Sequence, residues 1–171
     1  YDHDVSSRSY LPLEEKTIAE YLKEVGYKTC YVGKWHLGEE ESHWPEHQGF
    51  EINKGGNSKG APSTGNKYFS PYENPRLENG PDGEYLPERL AEETSKFIRE
   101  NKDNPFFAMF SFYSVHTPLM TTKALEEKYL KKRATMGLED RFEPEHANQN
   151  RTTQAHAIYA GMVEAMDNAV G

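Results

Sequence analysis

The stretch YVGKWHLG, Tyr31 to Gly38, sets a lysine and a histidine two residues apart at the end of a run that otherwise reads as buried strand. Residues two apart in a strand share a face, so Lys34 and His36 are expected to point together while Trp35 points away. A second apolar run, FFAMFSFY, Phe106 to Tyr113, leads into SVHTPL, which puts His116 just past a strand end in a segment stiffened by Pro118. Ligands of open α/β sheets bind outside the carboxyl ends of the strands. If the two strands are parallel and near neighbours, Lys34, His36 and His116 converge on one pocket from distant parts of the chain. Proton donors facing a common point suit a compact oxyanion such as sulfate or phosphate, with imidazoles available for proton transfer.

The elements that must position these groups alternate. Thr17-Ile18-Ala19-Glu20 has the form of a capping box, Ile18, Tyr21, Leu22 and Val25 follow at helical spacing, and Gly26 is placed as the stop. The composition of Tyr27 to Trp35 predicts a strand rich in β-branched and aromatic residues. From Gly38 to Asp82 glycine, asparagine, serine and proline dominate without a clear period, which reads as a long irregular excursion of functional or disordered character. Pro87 opens a second helix with Leu90, Ala91, Thr94, Phe97 and Ile98 on one face, ended by NKDNP. The continuous apolar character of Phe106 to Tyr113 predicts a strand covered on both faces. A short helix is expected over Ala124 to Lys132, and a last one carries the stripe Ala155, Ile158, Tyr159, Met162, Val163, Met166 and Val170. The order argues for an α/β fold with a parallel sheet.

Composition frames these groups. The chain has 171 residues, enough for a real core, and a formal net charge of -8 that disfavours nucleic acid or an anionic membrane as partner. Any cationic cluster in such a chain stands out. With one cysteine, Cys30, there is no internal disulfide framework and no multi-cysteine metal site. No apolar run approaches membrane-spanning length, and YDHDVSSRSY shows no signal-peptide pattern. The start without methionine and the abrupt end at MDNAVG read as a trimmed segment.

TIAEYLKEVGYKTCYVGKWHLG resembles a segment of the type I sulfatases, the formylglycine-dependent arylsulfatases of the alkaline-phosphatase-like superfamily, whose pattern runs through a Gly-Lys-Trp-His-Leu-Gly string. PEHQGF is similar to the Pro-x-x-x-Gly-Phe that follows that string, NPFFAMFSFYSVHTPL to the family's Pro-Phe-Phe strand ending in His-x-Pro, and YAGMVEAMDNAVG to the helix before its later metal-binding strand. The resemblance spans roughly residues 12 to 171. It implies an alkaline-phosphatase-like α/β fold, a partial parallel sheet flanked by helices with a long loop insertion, and hydrolysis of sulfate esters by a formylglycine hydrate with Ca2+. It also implies that Lys34 contacts the sulfate and the formylglycine, that His36 hydrogen-bonds the formylglycine and serves its regeneration, and that His116 binds the sulfate near the leaving oxygen. A sulfated small molecule or glycan is the implied substrate, and a periplasmic, extracellular or lysosomal location the implied setting.

The departures are informative. The family nucleophile arises from a Cys/Ser-x-Pro-Ser-Arg motif, which the sequence lacks. Cys30 is followed by YVGK and is a strand position, not a formylglycine precursor; DVSSR lacks both the leading Cys/Ser and the proline. Asp167-Asn168 superficially fits the later Asp-Asn calcium pair but lies inside the last helix stripe, so Asp167 reads as a structural or surface residue. The family's second substrate lysine is absent too. Residues 1–171 are therefore expected to be an internal piece of one sulfatase catalytic domain, with nucleophile and Ca2+ ligands elsewhere and inactive alone, whose unpaired strands lead to self-association or to a marginal monomer with a poorly ordered excursion. The alternatives are a phosphodiesterase or phosphonate hydrolase of the same superfamily, or a non-catalytic segment that binds sulfated glycans.

Blander readings apply to each group. Lys34 and His36, taken alone, read as a strand end emerging into solvent, and His116 as a loop histidine bonded to backbone. His43, Trp44 and His47 could line a sugar cleft but fit a polar loop. His3, His146 and His156 lack metal-ligand spacing, Asn150-Arg151-Thr152 is a chance-level glycosylation triplet, and Met162 and Met166 read as helix core.

Overall fold

The computed structural model describes residues 8–171. His3 and most of DVSSR lie outside the described residues. Two compact units are formed, the first running to Tyr113 and the second covering Ser114–Gly171.

In the first unit, helix α1 spans Ile18–Glu24 and starts where its capping box requires. The Thr17 hydroxyl accepts from the Glu20 amide at 3.2 Å, and the Glu20 carboxylate accepts from the Thr17 amide at 2.7 Å. It ends at Gly26, whose φ of +90° lets the Gly26 and Tyr27 amides reach the carbonyls of Lys23 and Leu22, both at 3.0 Å. This is the Schellman arrangement that a glycine at that position permits. The apolar stripe of α1 does not become core. Only Ala19 is buried, while Ile18 and Val25 are 62% and 70% exposed.

Strand β1, Lys28–Gly33, is central in a three-stranded parallel sheet of order β2-β1-β3, with β2 at Ile52–Lys54 and β3 at Phe106–Ser111. Every β1 residue after Lys28 is buried. The register sets Lys28 opposite Phe106 and Gly33 opposite Ser111, so β1 and β3 end side by side. Phe106 and Phe107 point to opposite faces. Phe107 packs on the cluster of Ala19, Tyr31, Trp35, Trp44 and Phe50, and Phe106 meets Phe97 edge-on at 5.7 Å. Helices thus cover both faces: α1 on one, and α2, Leu86–Asn101, on the other, burying Leu86, Leu90, Thr94 and Phe97. Ile98, expected on that buried face, is exposed.

The strand boundaries correct the sequence reading. β1 is shorter than Tyr27 to Trp35, because the Tyr27 amide is taken by the end of α1 and Gly33 leaves the extended region at φ +105°. β3 stops at Ser111 rather than Tyr113, and although both its faces are packed its burial is only partial. Its residues are at best half-buried and Met109 is 42% exposed, because among the described residues β1 is its only strand neighbour.

The excursion from Gly38 to Asp82 is held by many specific bonds, contrary to the expectation of poor order. Two 3-10 turns, Glu41–His43 and Pro45–His47, precede β2. Trp44, Phe50, Tyr68, Tyr72 and Leu77 are buried. Arg76 ties the segment together: its Nε donates to Glu46 at 2.6 Å, its guanidinium lies 4.7 Å from the Trp44 ring, and Asn53 donates to the other Glu46 oxygen at 2.6 Å. Trp44 is therefore a core residue and not part of a sugar cleft.

The second unit contains α3, Lys123–Thr135, an antiparallel hairpin of β4, Phe142–Glu145, with β5, Asn148–Arg151, and α4, Ala157–Val170. Gly161 lets α4 lie close to Thr121 and Leu125; a Cβ there would be 2.8 Å from Thr121 Oγ1. Lys128 of α3 pairs with Glu164 of α4 at 2.6 Å. Met162 is fully buried and Asp167 exposed, as read from the sequence, but Tyr159, Val163 and Val170 of the apolar stripe are exposed. No described helix is long and apolar enough to cross a membrane.

Candidate active site

Lys34 and His36 follow the exit of β1, but strand alternation does not orient them. Gly33 has already left the extended region, and His36 itself has φ +63°, so the shared-face argument is corrected. Backbone bonds fix the two residues separately. The Lys34 amide donates to the Ser111 carbonyl of β3 at 2.8 Å, and the His36 amide donates to Asn57 O at 3.1 Å. The Tyr31 hydroxyl donates to the Lys34 carbonyl. Burial pushes the Tyr31 phenol above its ordinary pKa, which keeps that hydroxyl a donor.

Gly33 makes this exit possible. A Cβ built there would stand 1.8 Å from the Ser111 carbonyl oxygen, so only a residue without a side chain lets the two strand ends meet and Lys34 turn across β3. Trp35 is buried, its Nε1 donating to the His43 carbonyl at 2.9 Å. With Trp35 anchored in the core, Lys34 is half-buried and His36 exposed, so the expected contrast between Trp35 and its neighbours holds. Lys34 forms no ion pair among the described residues of this acidic chain.

The excursion completes the surroundings of His36. Gly60 lies against its ring: a Cβ at Gly60 would be 2.4 Å from Nδ1 and 2.5 Å from Cε1. Asn57 is buried, its Oδ1 accepting from the Lys59 amide at 2.7 Å and its Nδ2 donating to Gly55 O at 3.2 Å. The same carbonyl accepts from Asn74 at 3.0 Å and from the Tyr113 hydroxyl at 2.9 Å. Sequence reading missed Asn57, Gly60 and Tyr113. The glycine density of NKGGNSKG was the available signal for a close backbone approach, but its target was not readable.

His116 belongs to the second unit, where it is exposed and its Nδ1–H donates to the Thr117 carbonyl at 2.7 Å. The condition set on the strands is met, since β1 and β3 are parallel and adjacent. Cys30 lies in β1 with no exposed surface, and burial pushes its thiol up to about 12, which agrees with its rejection as a modified nucleophile. Among the described residues no group of three or more His, Cys, Asp or Glu could hold a metal ion.

The first unit thus sets a parallel sheet, with helices on both faces, behind a Lys-x-His pair at the exit of its central strand, and solved structures of similar fold share this α/β architecture. The sulfatase family model matches residues 1–171, and the chain belongs to that family. It is 32% identical over 136 residues to an arylsulfatase of Hemicentrotus pulcherrimus, covering 68% of this chain and 24% of the relative. It is 33% identical over 117 residues to an ulvan-active sulfatase of Formosa agariphila, covering 64% of this chain and 22% of the relative. A 47-residue stretch is 57% identical to human arylsulfatase A, 26% of this chain and 9% of that protein. The chain thus spans about a quarter or less of the curated relatives it matches. Among solved structures, Ps i-CgsB covers 96% of this chain with a TM-score of 0.66 at 24% identity, the chain spanning 37% of that protein; the likeness shows the fold. A further structure of Ps i-CgsB is in complex with k-i-k-neocarrahexaose, with a TM-score of 0.63.

Proposed function

We propose that this chain is a section of one sulfatase catalytic domain that hydrolyses sulfate esters of a carbohydrate, with Lys34, His36 and His116 as its contribution to the sulfate site. The observation that carries the reading is the placement of Lys34 and His36, held by backbone bonds to Ser111 and Asn57 at the carboxyl end of the central strand. The ulvan-active sulfatase and the complex of Ps i-CgsB with k-i-k-neocarrahexaose support sulfated glycan as the substrate class.

In this reading the Lys34 ammonium neutralises charge on the sulfate oxygens, and His36 donates a hydrogen bond at the reacting centre. His116 binds near the leaving oxygen, as the family resemblance gives. A site in which donors face developing negative charge stabilises the transition state more than the ground state. By the family resemblance, calcium and formylglycine are assigned in this reading to parts of the complete enzyme outside these residues. The described residues contain no fitting ligand group, and Cys30 is closed inside β1, so no step is derived through either. A periplasmic, extracellular or lysosomal setting is part of the same proposal.

The test is sulfate release by the complete protein from sulfated oligosaccharides, with the phosphate ester of an aryl alcohol as competitor chemistry. Sulfate release is expected to dominate, and His36→Gln is expected to lower kcat by about 100-fold or more. Preferential phosphate release, or a kcat indifferent to both Lys34→Ala and His36→Gln, would overturn the assignment.

A further inference from the structure

We infer that Gly60, Asn57 and Tyr113 are positioning residues for His36, and that the excursion after β1 serves the sulfate site by fixing this imidazole. The inference rests on the reading of His36 as a site residue and extends it to groups outside the Lys-x-His string.

Three observations converge. His36 stands at φ +63°, a conformation unfavourable for a residue with a Cβ, so something outside the local chain must hold it. Its amide is bound by the carbonyl of buried Asn57 at 3.1 Å. Asn57 is in turn fixed through Gly55, whose carbonyl collects donors from Asn57, Asn74 and Tyr113 at 3.2, 3.0 and 2.9 Å. Tyr113 is buried just past β3, and its own carbonyl accepts from the Tyr68 hydroxyl at 2.9 Å. A track of hydrogen bonds therefore runs from the end of β3 to the His36 backbone. Deep burial raises the Tyr113 pKa and keeps its hydroxyl a donor.

Gly60 acts on the ring itself. The nearest heavy atoms to a Cβ at Gly60 are Nδ1, Cε1 and Cγ of His36, at 2.4, 2.5 and 2.9 Å. Its φ is not in the region reserved for glycine, so an alanine meets no strain of that kind, and the three nearest atoms it would press on all belong to the imidazole. The ring of His36 thus sets the closest demand for a glycine here. With its amide bound and Gly60 close against its ring, the imidazole of His36 is placed before substrate arrives, which is what a donor aimed at developing charge needs.

The experiment compares Gly60→Ala, Tyr113→Phe, His36→Gln and Gly83→Ala in the complete sulfatase. Gly83 is a control with φ +82° and open space around it. Gly60→Ala is expected to lower kcat about 10- to 100-fold with little change in KM, because a displacement of about 1 Å at a reacting group has effects of this size. Its thermal midpoint should stay near that of the parent, and the histidine-dependent limb of the pH–rate profile should move. Tyr113→Phe is expected to lower kcat several-fold, and it carries the test if Gly60→Ala fails to fold. In the chain described here, 15N spectra should show the His36 ring resonances shifted by Gly60→Ala and unmoved by Gly83→Ala. A kcat lowered by His36→Gln but untouched by both Gly60→Ala and Tyr113→Phe would overturn the positioning role alone. A kcat untouched by His36→Gln would overturn the site reading and this inference with it.

Discussion

Gly33→Ala tests the strand exit most directly. The added methyl would sit 1.8 Å from Ser111 O and 2.9 Å from Ser111 C, backbone atoms that cannot swing aside, and the residue would be held at φ +105°. Placing a Cβ in that conformation costs about 1–2 kcal/mol. Relieving the clash means parting β1 from β3 at the Gly33–Ser111 pair and lengthening the 2.8 Å bond from the Lys34 amide to Ser111. A lost hydrogen bond of this kind contributes about 1 kcal/mol, with a further ~1 kcal/mol if the carbonyl is left without a partner. The sum is about 3–4 kcal/mol. With a urea slope of about 2 kcal/mol per molar, the midpoint should fall by roughly 1.5–2 M. Gly83→Ala, with a similar φ of +82° and nothing within 4 Å, isolates the conformational part and should lose only about 1 kcal/mol. Equal urea midpoints for the two variants, with the Lys34 amide still protected from exchange, would refute the close-approach argument.

Cys30 should resist thiol reagents at pH 8 until the chain unfolds, because burial holds its thiol near 12; labelling kinetics against urea concentration check this. Leu90→Ala, at a site 1% exposed between α2 and the sheet, should cost about 2–5 kcal/mol in equilibrium unfolding. Burial opposes ionisation of Glu46, but hydrogen bonds from its own backbone, Arg76 and Asn53 outweigh it and hold its carboxyl below the ordinary 4.5. A depressed carboxylate adds stability above its unfolded pKa and loses it as pH falls through the folded one. Glu46→Gln should therefore lower stability at pH 7, by about 1 kcal/mol or less for a partly exposed group, and the difference should shrink as pH falls from 4.5 through the depressed folded pKa. The outer edge of β3, with Met109 exposed, and the exposed Ile18, Tyr21 and Val25 of α1 are expected to make the isolated chain self-associate; a strictly monomeric sedimentation profile across concentration would count against it.

The elements legible in the sequence are those whose signal is local. Thr17 and Glu20 cap α1 because both partners of each bond lie within one turn, and Gly26 ends it because an isolated residue can supply the positive φ. Pro87 and the apolar run from Phe106 are likewise readable from a few neighbours. Lys34, His36 and His116 stood out through residue type and spacing, and through a string specific to one family. Which residues end up buried, and what holds His36, were not legible. The apolar stripe of α1 has a clear helical period, yet period alone does not say whether a partner surface is present, and Ala19 became the buried residue. β2 is three residues long and exists only because β1 offers it a parallel edge, so no local propensity announces it. The hairpin of β4 and β5 runs through FEPE and NQNR, almost wholly exposed, so no buried face marks it in the sequence. The exit from β1 shows the difference most clearly. Lys34 and His36 were expected to be aligned by strand alternation, which is a local rule. In the fold their backbones are bound to Ser111 and Asn57, and Gly60 lies against the ring of His36, contacts made 77, 21 and 24 positions away in the chain and set by tertiary packing alone.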